Sequence, residues 1–592
     1  IYLNDSIALG MTRLSIIDLP GGNQPIFSDD SRYVIIFNGE IYNHNELRKD
    51  LLKKNYPIFS RSDTEVLLYS FIEYGPDCLQ KLNGMFAFAI WDNLKKEVFI
   101  ARDRLGIKPL YYAFDNKRFM FASELTPIHQ SGLFPLQLNY KAISDYLSYW
   151  YICEPETIFK NIFQLSPGTY SIVKDGEMRN TTYWKIPDEK EIDIGFNDAC
   201  ERILFILEDS IKLRMKVDVP IGTFLSGGID SGLVTSIAAK NFNDRLKAFL
   251  IGFKEKSYSE IDMAHKTAQR HSVEIHSTII ERITPDMVNE VFTAFDEPLG
   301  NASFVPTYFL SKRAREHVKV VLTGDGADEL FGGYPTYQAP YYQKIYSWIP
   351  GPAKKLINAG INSLPVSHKR ISLDFRLKQL MKGIPLSYQR AHYSWREVTS
   401  QSNQGKLFRK DIWEGLFPQD TFAKADLYFN KAKNLDLKNQ LMFVDMNTYL
   451  LNDHLRKVDR MSMAHSLEAR VPFLDHRMVE LAMTLPSKYK VSLFETKKIL
   501  KSVAEKYLPK EVIYGKKKGL TSPIAGWIHT ELKDYINDNL KSGGIIGEVF
   551  NDKIVQDLLD DHCSMKKDHS RIIWGLITLQ VWGDKLKPSS II

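Results

Sequence analysis

The chain has 592 residues, 44% of them hydrophobic and 25% charged, which is typical of a globular, soluble protein of two or more domains. Its net charge of +6 is small for this length, and lysine and arginine are spread along the chain, so nucleic acid is not an expected partner. No apolar run reaches the length of a membrane span, and four scattered cysteines without a CxxC pair favour a reducing, cytoplasmic location.

The first part of the chain combines strand pairs with two helices and predicts a layered α+β domain. Asp63, with Ser62 before it, is placed to cap the second helix, and the dipeptide Asp175-Gly176 favours a tight hairpin turn. Cys78 falls in a helix–loop segment and is expected in the core. The predicted elements are strands over 7–17 and 33–37, helices over 45–54 and 64–74, and hairpins that pair 85–91 with 97–101, 110–114 with 118–122, and 170–173 with 182–184.

Residues 186–195 are acidic and lack a clear period, which predicts a linker between a first domain of residues 1–185 and a second of residues 196–592. Beyond the linker, strands alternate with helices, a pattern that predicts a parallel sheet, and beyond Gly333 the chain is mostly helical. The predicted elements are helices over 199–215, 233–239 and 261–271, and strands over 221–225, 246–253, 273–279 and 318–322.

A glycine-rich loop with the sequence LSGGIDS separates the first of these strands from its helix. Gly227 and Gly228 let a ligand approach the backbone, and the free N–H groups that open the helix, with the hydroxyls of Ser226 and Ser231, form a cradle for a phosphate. Asp230 would repel a bare phosphate, so it suggests a bridging metal ion such as Mg²⁺. A turn that needs glycine only for steric reasons remains an alternative for this pattern alone.

A second loop, LTGDGADELFGGY over residues 322–334, follows another predicted strand. Asp325, Asp328 and Glu329 place three carboxylates within five residues, which is costly unless a cation or substrate offsets their charge. Because ligands bind at the carboxyl ends of parallel strands, Asp230 and Asp328 are expected to share Mg²⁺ there. A solvated acidic turn, the alternative, fits poorly with the glycines and the apolar flanks.

These loops and further motifs resemble the glutamine-hydrolysing asparagine synthetases, from Leu9 to about Trp527. The first loop is similar to the PP-loop of ATP pyrophosphatases, and the chain has no Walker A pattern. Besides the two loops and the Lys497 region, the matching motifs are 13–18 (RLSIID), 38–43 (NGEIYN), 62–65 (SDTE), 84–88 (GMFAF), 101–112 (ARDRLGIKPLYY), 456–464 (RKVDRMSMA) and 468–475 (EARVPFLD).

For the first domain the resemblance implies a class II glutaminase with an N-terminal-nucleophile fold, an αββα sandwich. It implies that Arg13 binds the α-carboxylate of glutamine, that Asp63 holds the α-ammonium group and that Glu40 belongs to the same set. Asn38 and the Gly39 N–H would form the oxyanion hole. Taken singly, Arg13 also fits a surface ion pair, and Asn38-Gly39 a hairpin turn.

The nucleophile of that family is an N-terminal cysteine whose own α-amine is the base, and no cysteine lies near Ile1. We therefore expect the native chain to extend upstream and to begin with cysteine after processing. A relative with an inactive glutaminase, as in β-lactam synthetase, is the alternative. Retention of Arg13, Asn38, Gly39 and Asp63 argues against it.

For the second domain the resemblance implies an ATP-pyrophosphatase-type synthetase in which Asp325 serves the acyl-adenylate and ammonia steps. Lys497 would stabilise the α-phosphate transition state, although Lys516 or Lys518 also fits that role; taken alone, residues 516–518 read as a solvated basic loop. Asp328 would be the second metal ligand. Ser226, Gly227, Gly228, Asp230 and Ser231 would bind pyrophosphate and Mg²⁺, and Leu225, Ile251, Thr323 and Gly324 would surround the adenine and ribose.

The activity implied by the resemblance is ATP-dependent amidation of aspartate through β-aspartyl-AMP, with ammonia from glutamine passing through an internal channel. ATP and Mg²⁺ are the expected cofactors, small molecules the substrates, and a homodimer the assembly. The same chemistry on another carboxylate, such as a cell-surface sugar acid, is the main alternative. A non-catalytic ATP-binding protein is a different-class alternative that the acidic loops and Lys497 oppose.

Overall fold

The computed structural model describes residues 1–254, 260–364, 373–416, 420–515, 519–541 and 543–586, so the basic run 516–518 lies outside the described residues. Sixteen strands and twenty-nine α-helices are assigned within these ranges. Those of the first part are β1 (Tyr2–Leu3), β2 (Ala8–Leu9), β3 (Ile26–Phe27), β4 (Tyr33–Ile41), α1 (His44–Lys53), α2 (Asp63–Tyr74), α3 (Cys78–Lys81), β5 (Gly84–Asp92), β6 (Glu97–Arg102), β7 (Tyr111–Phe114), β8 (Phe119–Ala122), α4 (Leu125–Gln130), α5 (Tyr140–Tyr149), β9 (Ile162–Gln164), β10 (Thr169–Lys174) and β11 (Glu177–Thr182).

The first part is an αββα sandwich, as predicted. A six-stranded antiparallel sheet in the order β11-β10-β6-β5-β4-β3 faces a three-stranded sheet in the order β8-β7-β9. Alternate residues of β4 and β5 point to opposite faces, so Ile35 and Phe88 pack against α1 and α2 while Val34 and Ala89 pack between the sheets. Helices α4 and α5 cover the outer side of the small sheet, where Ile128 and Ile143 share a core with its strands.

Three local predictions for this part are wrong. Only β2 forms within 7–17, because the Arg13 guanidinium donates to the carbonyls of Ile17 and Asp18 and holds this stretch in a loop. Ser62, not Asp63, caps α2, since its hydroxyl accepts from Thr64 N at 3.2 Å. The turn at Asp175-Gly176 forms, but the strand after it, β11, begins at Glu177 and not at residue 182. A two-residue turn pairs the residues directly on either side of it, here Lys174 and Glu177.

The second part begins with a helix at Phe196, and residues 186–195 carry no helix or strand, as predicted for a linker. Its leading elements are α6 (Phe196–Arg214), β12 (Ile221–Phe224), α7 (Ile229–Lys240), β13 (Lys247–Phe253), α8 (Ile261–Arg270), β14 (Glu274–Ile280), α9 (Pro285–Phe292), α10 (Phe304–Arg315), β15 (Val320–Leu322) and α11 (Ala327–Phe331).

Beyond α11 the described chain is helical except for one strand. The elements are α12 (Ala339–Ser347), α13 (Gly351–Asn362), α14 (Leu373–Gly383), α15 (Tyr388–Ser394), α16 (Gln401–Leu407), α17 (Lys410–Gly415), α18 (Ala423–Lys431), α19 (Leu437–Asp445), a π-helix (Met446–Leu455), α20 (Arg456–Met463), β16 (Glu468–Arg470), α21 (His476–Thr484), α22 (Ser487–Lys490), α23 (Lys498–Ala504), α24 (Lys510–Ile513), α25 (Ile524–His529), α26 (Lys533–Asn539), α27 (Gly544–Val549), α28 (Asp552–Cys563) and α29 (Ser570–Asp584).

The five strands of the second part form one parallel sheet in the order β14-β13-β12-β15-β16. The sequence predicted the parallel sheet but missed β16, whose three residues give too short a run to be recognised. Strands β12 and β15 are direct neighbours, so the two loops that follow them leave the same edge of the sheet. No helix within the described ranges is long and apolar enough to cross a membrane.

The two parts share one interface. Met85, Leu105 and Ile107 of the first part belong to a hydrophobic core whose other members lie mostly in the second. Lys108 Nζ also lies 3.1 Å from Asp459 Oδ1 across this boundary. The parts are therefore joined by a buried surface and not only by the linker.

Candidate active site

The first loop of the site folds around two serine hydroxyls. Ser231 Oγ accepts from Ser226 N at 2.9 Å and lies 2.8 Å from Ser226 Oγ, while Gly228 N donates to Ser226 Oγ at 3.2 Å. A Cβ atom on Gly227 would lie 2.8 Å from Glu260 O, so only glycine fits at this position. The loop thus presents the N-terminus of α7, with its positive dipole end, at the edge of the sheet.

The second loop packs directly on the first. A Cβ atom on Gly324 would lie 2.6 Å from Ser231 N and 2.8 Å from the carbonyl carbon of Asp230. Thr323 N donates to Arg470 O at 2.9 Å, which fixes the start of the loop against β16. The structure therefore brings together the two loops that the sequence placed at the carboxyl ends of parallel strands.

Lys497 joins the two loops through its ammonium group. Its Nζ lies 2.5 Å from Asp230 Oδ1 and 2.5 Å from Asp328 Oδ1, and the side chain is buried. Burial lowers the pKa of Lys497, but the two carboxylates outweigh it and raise that pKa above its ordinary value. Gly333 closes the arrangement, because a Cβ there would collide with Asp328 Oδ1 and with Lys497 Cε.

The predicted nucleoside-binding residues lie at the same edge. Leu225 is buried at the end of β12, and its N–H donates to Phe249 O at 2.9 Å. Ile251 is half-buried on β13, where it pairs with Thr278 of β14. The backbone N–H of Asp325 lies 3.5 Å from Thr323 Oγ1, within the second loop.

A buried polar chain behind the second loop was not predicted. Tyr334 OH donates to Glu329 Oε1 at 2.7 Å, and burial together with the Asp328 carboxylate raises the pKa of Glu329 to about 7. The Arg396 guanidinium lies 5.0 Å from the Tyr334 ring centroid and donates to Asp445 Oδ2 at 2.5 Å. Glu329 was visible in the sequence as a third acidic residue, but Arg396 and Asp445 lie in segments without a motif.

The predicted glutamine site is held by the first part of the chain. Asn38 Nδ2 donates to Ser123 Oγ at 3.1 Å, and Gly39 has a φ of +144° and sits so close to Met85 O that only glycine fits. Asp63 Oδ2 accepts from Ile41 N at 3.0 Å. Arg13, besides the bonds described above, donates to Leu19 O at 3.1 Å and is half-buried.

Glu40 faces the second part of the chain. Its Oε2 accepts from Arg470 at 2.9 Å, and Arg470 also binds Glu468 at 2.8 Å. Burial, and then the neighbouring Asp63 carboxylate, raise the pKa of Glu40, while Arg470 opposes them. Arg470 lies within one of the matching motifs, but the sequence alone indicated no role for it, because its partner Glu40 lies 430 residues away.

A sandwich of the glutaminase type, joined to a parallel sheet with two phosphate-type loops, is the architecture of a two-domain amidotransferase. The family model described as "Asparagine synthase" matches residues 203–584, and the model described as "Glutamine amidotransferase domain" matches residues 1–184. The chain therefore belongs to the asparagine synthase family, which confirms the resemblance seen in the sequence.

Individual relatives are similar to this chain over most of its length. The chain is 35% identical over 586 residues to asparagine synthetase [glutamine-hydrolyzing] 1 of Bacillus subtilis (strain 168), covering 98% of this chain and 90% of that protein. It is 31% identical to asparagine synthetase [glutamine-hydrolyzing] 3 of the same organism, covering 90% of this chain and 83% of that protein. It is also 28% identical to the amidase chry2 of Gibberella zeae, covering 92% of this chain and 86% of that protein.

Proposed function

We propose that this chain amidates the side-chain carboxylate of aspartate with ATP and with ammonia released from glutamine. The products are asparagine, glutamate, AMP and pyrophosphate, and β-aspartyl-AMP is the intermediate. Activation is required because a carboxylate is a poor acyl donor, whereas AMP is a good leaving group. The observation that carries the proposal is the convergence of Asp230, Asp328 and Lys497 beside the N-terminus of α7.

The two carboxylates fit Mg²⁺. Among the residues that the structure describes, no group of three or more His, Cys, Asp or Glu side chains is placed to hold a metal ion. Mg²⁺ needs no such cage, since one or two carboxylates with substrate phosphates suffice. Asp230 and Asp328 already converge on one cationic group, so their geometry suits a bridging cation, which would supply charge neutralisation for the phosphates.

The protein groups around this point have separate roles in the proposal. Backbone N–H groups of Gly227 and Gly228 and the hydroxyls of Ser226 and Ser231 bind the pyrophosphate portion of ATP. Lys497 offsets the negative charge that develops at the α-phosphate, which is worth most in a buried site. Asp325 serves the steps on the acyl-adenylate and on ammonia. Leu225, Ile251, Thr323 and Gly324 surround the nucleoside.

The glutamine half-reaction belongs to the first part, for which we propose a domain of residues 1–185 before a synthetase domain of 196–592. Arg13 and Asp63 bind the α-carboxylate and α-ammonium groups, Glu40 belongs to the same set, and Asn38 with the Gly39 N–H holds the developing oxyanion.

Ammonia then crosses the boundary between the domains. A cavity of about 10 Å³, the size of one small molecule such as water, lies at that boundary. It is lined by Arg102, Gly106, Ile107, Pro109, Glu154 and Gln164 of the first domain and by Leu451, Arg456, Asp459 and Arg460 of the second.

We propose a homodimer as the assembly.

The deciding experiment measures AMP and pyrophosphate release from ATP with ammonium as the nitrogen source and a panel of carboxylic acids as acceptors. Aspartate-dependent release, with asparagine identified by mass spectrometry, is the expected result. Release that depends on another acid, such as a uronic acid, would overturn the choice of acceptor but keep the chemistry. ATP binding without turnover for any acceptor would overturn the enzymatic proposal.

A further inference from the structure

Basic residues are concentrated in one segment of the second part. Residues 330–396 contain ten lysines and arginines and only one acidic residue, Asp374, so this segment carries a net charge of +9. The whole chain has a net charge of +6, so all other residues together are net negative. The even spread of charge inferred from the complete sequence is therefore wrong for this segment.

The first two helices of the segment form a hairpin with an uncovered apolar face. Tyr342 and Ile345 lie on α12, and Trp348 directly follows its last residue, so the three are spaced three residues apart; Trp348 is 76% exposed. On α13, Leu356 is 76% exposed and Ile357 is 39% exposed. Among the described side chains of α13, none belongs to a hydrophobic core of the protein. This face, which we call the α12–α13 face, consists of Tyr342, Ile345, Trp348, Leu356 and Ile357.

The hairpin is held in place by polar contacts that leave this face uncovered. Gln343 is buried and donates to Gly383 O at 3.1 Å, which attaches α12 to the end of α14. Tyr346 OH lies 3.2 Å from Asn358 Oδ1, and Lys354 Nζ donates to Ser347 O at 3.2 Å, so α12 and α13 are tied to each other. The apolar residues are thus presented by an anchored element and not by a free chain end.

We propose that the α12–α13 face binds the surface of an anionic lipid bilayer. Exposed tryptophan and leucine insert at the boundary between headgroups and acyl chains, and nearby lysines interact with anionic headgroups. Lys344 and Lys355 are exposed at the hairpin. Peripheral binding needs no membrane-spanning segment, so it agrees with the helices described above.

Charge and composition together select this partner over two others. A two-fold contact between copies of this face would bring the same lysines together, which like-charge repulsion disfavours. A nucleic acid would match the charge but would leave Ile345, Leu356 and Ile357 against phosphates, where aliphatic side chains gain little. Of these three partners, the bilayer is the one that offers anionic groups and an apolar interior side by side.

The test is sedimentation of the full chain with vesicles of phosphatidylcholine alone and with one third phosphatidylglycerol. We expect binding only to the anionic vesicles, weakened by raised salt. Binding should fall by about tenfold or more in Trp348→Ser/Leu356→Ser and in Lys344→Glu/Lys355→Glu. Matched controls are Phe205→Ser, at a side chain that is 71% exposed on α6, and Lys49→Glu/Lys53→Glu on α1, which should bind as the unmodified chain does.

A second readout follows Trp348 itself. Brominated lipids should quench tryptophan fluorescence in the unmodified chain, and this quenching should shrink in Trp348→Phe although that variant still binds. Ammonium-dependent ATP turnover and circular dichroism should be unchanged in every variant, which separates this proposal from the proposed activity.

Three results would overturn the proposal. They are no difference between the two kinds of vesicle, equal binding by the face variants and the controls, or preferential retention on DNA that the face variants lose. A dimer in light scattering that Trp348→Ser/Leu356→Ser abolishes would instead make this face a contact between copies.

Discussion

Lys497 illustrates how a single residue organises the synthetase site. It precedes α23 with a φ of +53°, a conformation that side chains with a Cβ rarely adopt and that costs about 1–3 kcal/mol. The contacts of its buried ammonium group with Asp230 and Asp328 offset this cost, because burying a cation is expensive unless it is paired with opposite charge. The strained backbone is therefore a consequence of bringing the ammonium group between the two loops.

The two carboxylates give the first prediction. Asp230→Asn and Asp328→Asn should each lower aspartate-dependent exchange of pyrophosphate into ATP by about 100-fold or more, since removal of a metal ligand costs several kcal/mol in the transition state. Asp244→Asn, at an exposed carboxylate of the same domain, should retain full exchange. Near-normal exchange in either site variant would contradict a shared cation.

Lys490 gives a prediction about pH and stability. It is fully buried with its Nζ 2.8 Å from Asn439 Oδ1, and burial lowers its pKa to about 7. The unfolded chain, in which a lysine titrates near 10.5, binds more protons between these two values. The folded state therefore gains stability as pH rises from 7, by up to about 1.4 kcal/mol per pH unit.

The measurement for Lys490 is urea unfolding at pH 7, 8 and 9. The free energy of unfolding of the unmodified chain should rise relative to that of Lys490→Met, which lacks the titrating group. Lys488→Met, on the exposed side of the same helix, should follow the unmodified chain. A pH-independent difference for Lys490→Met would show that Lys490 stays charged in the folded state.

At the scale of elements, the site depends on the direct adjacency of β12 and β15. Gly324→Ala would place a methyl group against Ser231 N and the Asp230 backbone, and overpacking of this kind costs about 1–3 kcal/mol. Because the strain falls on the loops that we propose bind ATP, we expect the KM for ATP to rise by about tenfold or more. Gly526→Ala, with no atom within 4 Å of the added Cβ, should leave it unchanged. An unchanged KM in Gly324→Ala would mean that the loops are not in contact.

At the scale of the whole molecule, Arg470 connects the two domains. Arg470→Met leaves Glu40 and Glu468 buried without their cation, which should cost about 3–5 kcal/mol of folding free energy. Adding Glu40→Gln should recover part of that loss, because one uncompensated charge is removed. Thermal unfolding of the single and the double variant measures the loss and its recovery. The control is Arg313→Met, which removes the exposed ion pair Arg313–Glu316 and should cost about 0–1 kcal/mol. Equal losses in Arg470→Met and the control would contradict a buried interdomain network.

The sequence by itself determined the elements and the two loops. Apolar periodicity located β4, α2 and β13, because side chains alternate in strands and recur every 3.6 residues in helices whatever else they contact. Glycines and carboxylates marked the synthetase site, since their chemistry is local. Where a side chain sets the path of the backbone, as Arg13 does in the loop after β2, periodicity predicted a longer strand than the one that forms.

Only the tertiary structure decided which distant residues meet. The fold places Lys497 2.5 Å from both Asp230 and Asp328, and it gives Arg470 a partner in Glu40. Ion pairs form between groups that the fold brings within a few ångströms, and nothing in their local sequence records the partner. The same holds for the α12–α13 face, because exposure is a property of what the rest of the chain leaves uncovered.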